Sequence, residues 1–219
     1  MRTPAAVLIL GLALAVGTPA AWTLTRPSAT AGPPVTQLLQ PAPAPASSSP
    51  AADQLPVVPA HPAVPPPEVA IVPPVRVAVP GAGIDAVVDP VGVEPEGGMS
   101  IPADVDRVGW YRFGPVPGAA QGTAVLAGHV DDRDQGLGAL APLRTIEPGT
   151  ELLVTDAVGA VVRWRVVSRE LIDKRRVPLD LLFTRTGPPR LVLLTCGGPF
   201  LAQLHGYRDN VVVVAEPAP

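Results

Sequence analysis

Cys196 is the only cysteine among 219 residues, and it closes the apolar run "LVLLTC" just before two glycines. His129 closes a second apolar run, "TAVLAGH", and Arg208 stands just before a third, "NVVVVAE". These three side-chain types suit nucleophilic acyl chemistry. A thiol attacks as thiolate, a form that a neighbouring guanidinium favours. An imidazole within reach can take up and return the proton that acyl transfer moves. The fixed fork of arginine can donate to an oxyanion or a substrate carbonyl. Each residue also has an ordinary reading: a buried inert thiol, a structural histidine and a surface ion pair. The remaining histidines fit a catalytic role less well. His61 lies in a proline-rich stretch and His205 in the loop after Cys196.

The elements that would position these groups read as strands. "RLVLLTC" and "NVVVVAE" are continuous apolar runs of strand length, as expected for strands buried on both faces. Paired antiparallel, the end of the first lies beside the start of the second, which brings Cys196 and Arg208 to one end of a sheet. "VRVAV", "IDAVVDPVGV", "GTAVLAGHV" and the two halves of "TELLVTDAVGAVVRWRVVSREL" add further strands, with "DAVG" as a turn. Short helical turns are expected at "LGALAPLR" and "VPLDLLF". Seven or eight short strands with Gly/Pro turns predict an all-β barrel or sandwich.

Composition confines this domain to the C-terminal two thirds. Residues 27–74 are dominated by Pro, Ala, Val and Ser, have no usable period and carry only Asp53 and Glu68 as acidic charges. Such a stretch does not bury enough apolar surface to offset its ordering entropy. It predicts a disordered linker, a polyproline stalk reaching on the order of 100–150 Å. Residues 1–26 carry one early charge, Arg2, and then an apolar run up to Arg26. That run suits a membrane anchor with a cytoplasmic N-terminus or a signal peptide cleaved near Ala20. Both readings export the domain at 75–217, to the outer face of the cell membrane if anchored and into the medium if cleaved. Exported cysteines usually come in pairs as disulfides, so a lone thiol asks for a reason. A net charge of −3 leaves no footprint for nucleic-acid binding.

Taken together, "VLAGHVD", "LLTCGGPF" and "GYRDNVVVVA", in this order and with gaps of 67 and 12 residues between His129, Cys196 and Arg208, resemble the sortases of Gram-positive bacteria. The "TCGG" and "YRDN" pieces look most like the class F group of actinobacteria. The resemblance covers about residues 75–216, and "GMSIPADVDRVGWYRFGPVPGAAQGTAVLAGH" is similar to the family's N-terminal half. It implies a closed eight-stranded β-barrel and a cysteine transpeptidase. Cys196 would attack the Thr–Gly carbonyl of an LPxTG-like sorting signal borne by a surface protein, and an amine of a cell-wall precursor would resolve the thioacyl enzyme. His129 would exchange the proton, Arg208 would hold substrate or oxyanion, and Thr195 would help to position substrate. No cofactor or metal is implied, and the enzyme is expected to be a monomer. One departure is visible: the family often has threonine four residues before the cysteine, where this chain has Val192.

Other features carry less. "DDRDQG" at 131–136 resembles a calcium loop but lacks its ligand spacing, and "KRR" at 174–176 has the usual look of a wet loop face, although it sits in the long connection before the cysteine strand, where sortases resemble one another in holding the sorting peptide. Trp110 and Tyr111 are expected in the core. Two rivals stay open on the residues alone. One is another exported cysteine enzyme such as an L,D-transpeptidase, whose "SxGC"-like signature is missing here. The other is a non-catalytic stalked β-domain with an inert thiol.

Overall fold

The computed structural model describes residues 30–40 and 71–219. In chain order its strands are β1 (Thr30–Ala31), β2 (Pro74–Val79), β3 (Ile84–Val91), β4 (Arg107–Tyr111), β5 (Thr123–Ala127) and β6 (Asp131–Asp132). They continue as β7 (Gly136–Leu137), β8 (Glu151–Asp156), β9 (Val161–Asp173), β10 (Arg190–Leu201) and β11 (Gly206–Pro217). Two short helices, α1 (Val35–Leu39) and α2 (Leu179–Leu182), lie outside the sheet. Eight strands close on themselves in the order β9–β11–β10–β5–β4–β3–β2–β8, with β8 pairing back onto β9. The all-β barrel expected from the strand pattern and the family resemblance is therefore present. β4 escaped the sequence reading. It is only five residues long and includes Gly109, so it shows no alternation, although Trp110 within it is buried as expected.

Alternation sorts β10 and β11 into two apolar faces. Leu191, Leu193, Val211, Val213 and Ala215 point into the barrel beside Trp164 and Leu126. Val192, Val212 and Val214 point outward into a second cluster with Val35, Leu39 and Leu182. Strands buried on both faces need a cover on each side. Here the outer cover is α2 together with α1.

That cover corrects the linker expectation. Residues 30–40 fall within the stretch read as a 27–74 stalk, yet they pack on the domain. β9 outruns its partner β8, which pairs only with Val161–Arg165. β1 occupies the edge left open, with Thr30 opposite Glu170 and Ala31 opposite Arg169. An open edge leaves backbone donors and acceptors unpaired, and β1 takes them up. Ser168 Oγ donates to the Pro33 carbonyl at 2.6 Å, and the Val35 amide donates to Glu170 Oε2 at 2.8 Å. Val35 is 0% exposed. The apolar triplet of α1, Val35, Leu38 and Leu39, is what the Pro/Ala-rich surroundings hid. Val192, the departure from the family's threonine, sits under this strap, where a methyl group is worth more than a hydroxyl.

The anchor or signal segment at 1–26, the rest of the linker and His61 lie outside the described residues. Among the described residues, no helix is long and apolar enough to cross a membrane.

Candidate active site

β5 and β10 run parallel, and their register pairs Ala127 with Leu194. Two bonds carry that register one residue beyond the ladder. The Gly128 amide donates to the Leu194 carbonyl at 3.1 Å, and Thr195 Oγ1 donates to the Gly128 carbonyl at 2.9 Å. The next residues along are His129 and Cys196. The 67-residue gap between them is thus the register of the β5–β10 pair, and it sets imidazole and thiol side by side at the strand ends. Thr195 itself is 3% exposed. Its hydroxyl is engaged within the fold, so the residue expected to position substrate fastens one strand to the other.

Cys196 is half-buried, and so is His129. His129 Nε2 lies 3.0 Å from the Pro102 carbonyl oxygen. A carbonyl only accepts, so Nε2 carries the hydrogen and Nδ1 is the atom left for proton exchange. Both side chains line an open groove of about 580 Å³ on the outer face of the barrel. Its apolar lining comes from two chain segments, with Val93, Met99 and Ile101 on one and Val177, Leu179 and Phe183 on the other, together with Leu194 and Tyr111. The polar side chains of the lining are Tyr111, His129, Lys174, Thr195, Cys196 and Asn210. The groove is therefore mostly apolar with a few polar groups, the usual form of a ligand-binding site. "KRR" supplies Lys174 to this lining, in the connection that the family resemblance associates with holding the sorting peptide.

The hairpin of β10 and β11 brings up the third candidate less directly. Cys196 pairs with Asn210, and Arg208 lies two residues farther along, on the same face by alternation. The register slips between Gly197 and Phe200, so a bulge at Gly198 and Pro199 stands opposite Arg208. A bulge bends its strand and re-aims side chains nearby. The Arg208 guanidinium is drawn to Asp209, with Nε to Oδ1 and Nη2 to Oδ2 both at 2.8 Å. Arg208 stays at the rim and is not part of the groove lining. Its pKa is raised, first by this hydrogen bonding to Asp209 and also by the charge of Asp173. Asp173 belongs to Arg175, whose side chain and amide hold its carboxyl down at about 2.

Further contacts tie the loops around the site together. Tyr207, next to Arg208, donates its phenol to Asp131, two residues after His129. Arg144 lies over the Tyr207 ring at 5.1 Å, and Phe200 meets that ring edge-on. In the "DDRDQG" loop, Asp132 accepts from the amides of Asp134 and Gln135, which spends its carboxylate on the β6–β7 turn. Among the described residues no group of three or more His, Cys, Asp or Glu could hold a metal ion. His205 is exposed, with φ at 46°, and lies away from the groove lining. Pro102, Asn210 and Asp209 were missed as site residues. Asn210 could have been found by counting the hairpin register back from Cys196, and Asp209 stands inside the quoted "YRDN".

A family model described as Sortase domain matches residues 77–218. Among solved structures, sortase A of Listeria monocytogenes superposes with a TM-score of 0.50 at 21% identity, covering 68% of this chain and 88% of that one. Sortase C-1 of Actinomyces oris superposes with a TM-score of 0.50 at 16% identity, covering 66% of this chain and 73% of that one. No curated protein matched.

Proposed function

The chain belongs to the sortase family of cysteine transpeptidases, and from that premise we propose that it cuts LPxTG-like sorting signals of surface proteins between Thr and Gly and passes them to an amine of a cell-wall precursor. The observation that carries this reading is the register of β5 and β10, which sets His129 beside Cys196 in an apolar groove. The apolar lining of the groove suits a peptide with apolar side chains. In the proposed reaction the Cys196 thiolate attacks the threonine carbonyl carbon. The tetrahedral adduct collapses as the C–N bond breaks, and His129 gives a proton from Nδ1 to the departing glycine amine. The thioacyl enzyme then meets the incoming amine, which loses a proton to His129 as the C–S bond breaks. Arg208, reaching in from the rim, donates to the oxyanion or to the substrate backbone. Within the family, the likeness of "TCGG" and "YRDN" to the class F group supports a class F reading. Its place of action is the outer face of the cell membrane, held there by residues 1–26.

The test incubates the purified chain with a panel of LPxTG-type peptides and triglycine and reads products by mass. Transfer product cut after threonine is expected. Cleavage at another bond, or no reaction across the panel, would overturn the assignment of the sorting signal.

A further inference from the structure

The pair Arg208–Asp209 has a feature that an ordinary surface ion pair lacks. The Asp209 side chain is 4% exposed while that of Arg208 is 50% exposed. The buried partner is fixed and the exposed one is oriented by it. Asp209 follows the inward series of Val211 and Val213 on β11, so its carboxylate points into the end of the barrel. There it lies against Gly198. A Cβ on that glycine would fall 2.1 Å from Asp209 Oδ2, and its φ of +71° is one that L side chains rarely adopt. The second glycine after the thiol thus makes the space that the carboxylate fills. The neighbouring carboxylate across the sheet, Asp173, stands opposite Asp209 in the β9–β11 register and is neutralised by its own arginine, Arg175. Asp209 is left to Arg208.

The geometry points to Asp209 as a positioning residue for the reaction, with Gly198 as its cradle: it clamps the Nε–Nη2 edge of Arg208 so that the Nη1 edge is presented to the acyl group on Cys196. Of the five N–H groups of a guanidinium, the fork on Asp209 uses two along one edge. The fork leaves the remaining donors unused, the Arg208 side chain is half exposed, and strand alternation sets residue 208 on the face that carries Cys196. A buried carboxylate with a bidentate partner holds that partner in one plane, which a flexible exposed arginine does not keep unaided. This inference rests on the reading of Arg208 as the group that meets substrate.

The test is a double-mutant cycle of Asp209→Asn and Arg208→Ala, read in two ways. The first is kcat and KM for peptide transfer to triglycine. The second is the pH profile of Cys196 alkylation by iodoacetamide, which needs no peptide. Asp209→Asn is expected to lower kcat by about tenfold or more, with KM changed much less. It should also shift the alkylation profile, because the guanidinium no longer has a fixed place near the thiol. In the Arg208→Ala background both effects should vanish. Asp209→Asn at the wild-type rate, or an equal loss in both backgrounds, would overturn the positioning role. If no peptide is turned over by the wild type, the substrate assignment fails, and the alkylation cycle still decides for or against Asp209. Asp209→Ser, smaller and still able to accept a hydrogen bond, takes its place if the asparagine variant does not fold.

Discussion

Thr195 donates its hydroxyl to the carbonyl of Gly128 at 2.9 Å, so the residue before the thiol is fastened to the residue before the imidazole. Thr195→Val keeps the shape and removes the bond, leaving a buried carbonyl one partner short. A loss of about 1–3 kcal/mol in stability is expected. The spacing between Cys196 and His129 should loosen with it, so kcat should fall several-fold more than KM rises. Equal kcat in a folded Thr195→Val enzyme would show that the strand ends hold their spacing without this bond.

Cys196→Ala should abolish acylation and transfer together, since the chain holds no second thiol. His129→Ala should leave a thiol that can be alkylated, with transfer reduced by about 10²–10⁴-fold. His205→Ala is the control. Its side chain is exposed and outside the groove, so most of the activity should remain. Intact mass after iodoacetamide separates Cys196→Ala from His129→Ala, the transfer rate separates both from His205→Ala, and a dead His205→Ala beside an active His129→Ala would reverse the assignment of the proton partner.

Tyr207→Phe cuts the link between the turn that carries Arg208 and the loop after His129. A several-fold loss of kcat is expected, with a modest fall in thermal midpoint. The bond to Asp131 is the first cause that raises the Tyr207 pKa above its ordinary value. A raised folded pKa contributes stability that is full below the unfolded value, near 10, and is lost as pH rises through the folded one. Through neutral pH the phenol therefore remains a donor. The difference in thermal midpoint between wild type and Tyr207→Phe should be flat from about pH 6 to 9 and should shrink only in stronger base.

Asp173 has the opposite sign. With its carboxyl held at about 2 by Arg175, its contribution is full above the unfolded value near 3.9 and is lost as pH falls toward the folded one. The pair is exposed, so the contribution is small. Asp173 stays ionised across the working range. An acidic limb in the rate profile above about pH 4 should consequently survive Asp173→Asn unchanged.

Removing residues 1–29 should leave stability untouched, whereas removing 1–70 should lower it. The second truncation uncovers Val192, Val212 and Val214 and deletes Val35 and Leu39 from their cluster. At about 1.5–3 kcal/mol for each of the two buried side chains lost, the thermal midpoint should drop by roughly 6–24 °C. The same outer row of β10 runs from Val192 under the strap through Leu194 to Cys196 in the groove. α2 sits between, with Leu182 facing the strap cluster and Leu179 lining the groove. Peptide KM should therefore rise as well, and Val35→Asp in the full chain should reproduce both effects.

What could be read in advance follows from how each feature is written in the chain. β10 and β11 are long uninterrupted apolar runs, so their burial on both faces was visible, but the identity of the outer cover was not. α1 is one turn of apolar residues among prolines, and only the open edge of β9 and the bare face of β10 and β11 give it a place to dock. β4 was lost because Gly109 interrupts a short strand, so it shows neither alternation nor a continuous apolar run. The triad residues were legible as types, but the bland reading of each stayed open until the motifs were taken together. The direction of Arg208 was not legible, because it depends on a one-residue bulge and on a carboxylate whose burial no local pattern announces.

The docked strap also resets the leash. A stalk covering all of 27–74 would let the enzyme patrol a shell more than a hundred ångströms deep around its point of attachment. With Thr30 already seated on β9, an anchor ending at residue 26, as proposed, leaves three residues of slack, about 10 Å. The residues between Gln40 and Ile71 then begin and end on the same body and add nothing to the radius. An enzyme tethered so briefly would meet only what is brought to the bilayer surface. Its natural clients would be proteins still held in the membrane as they emerge, and not those already displayed in the wall.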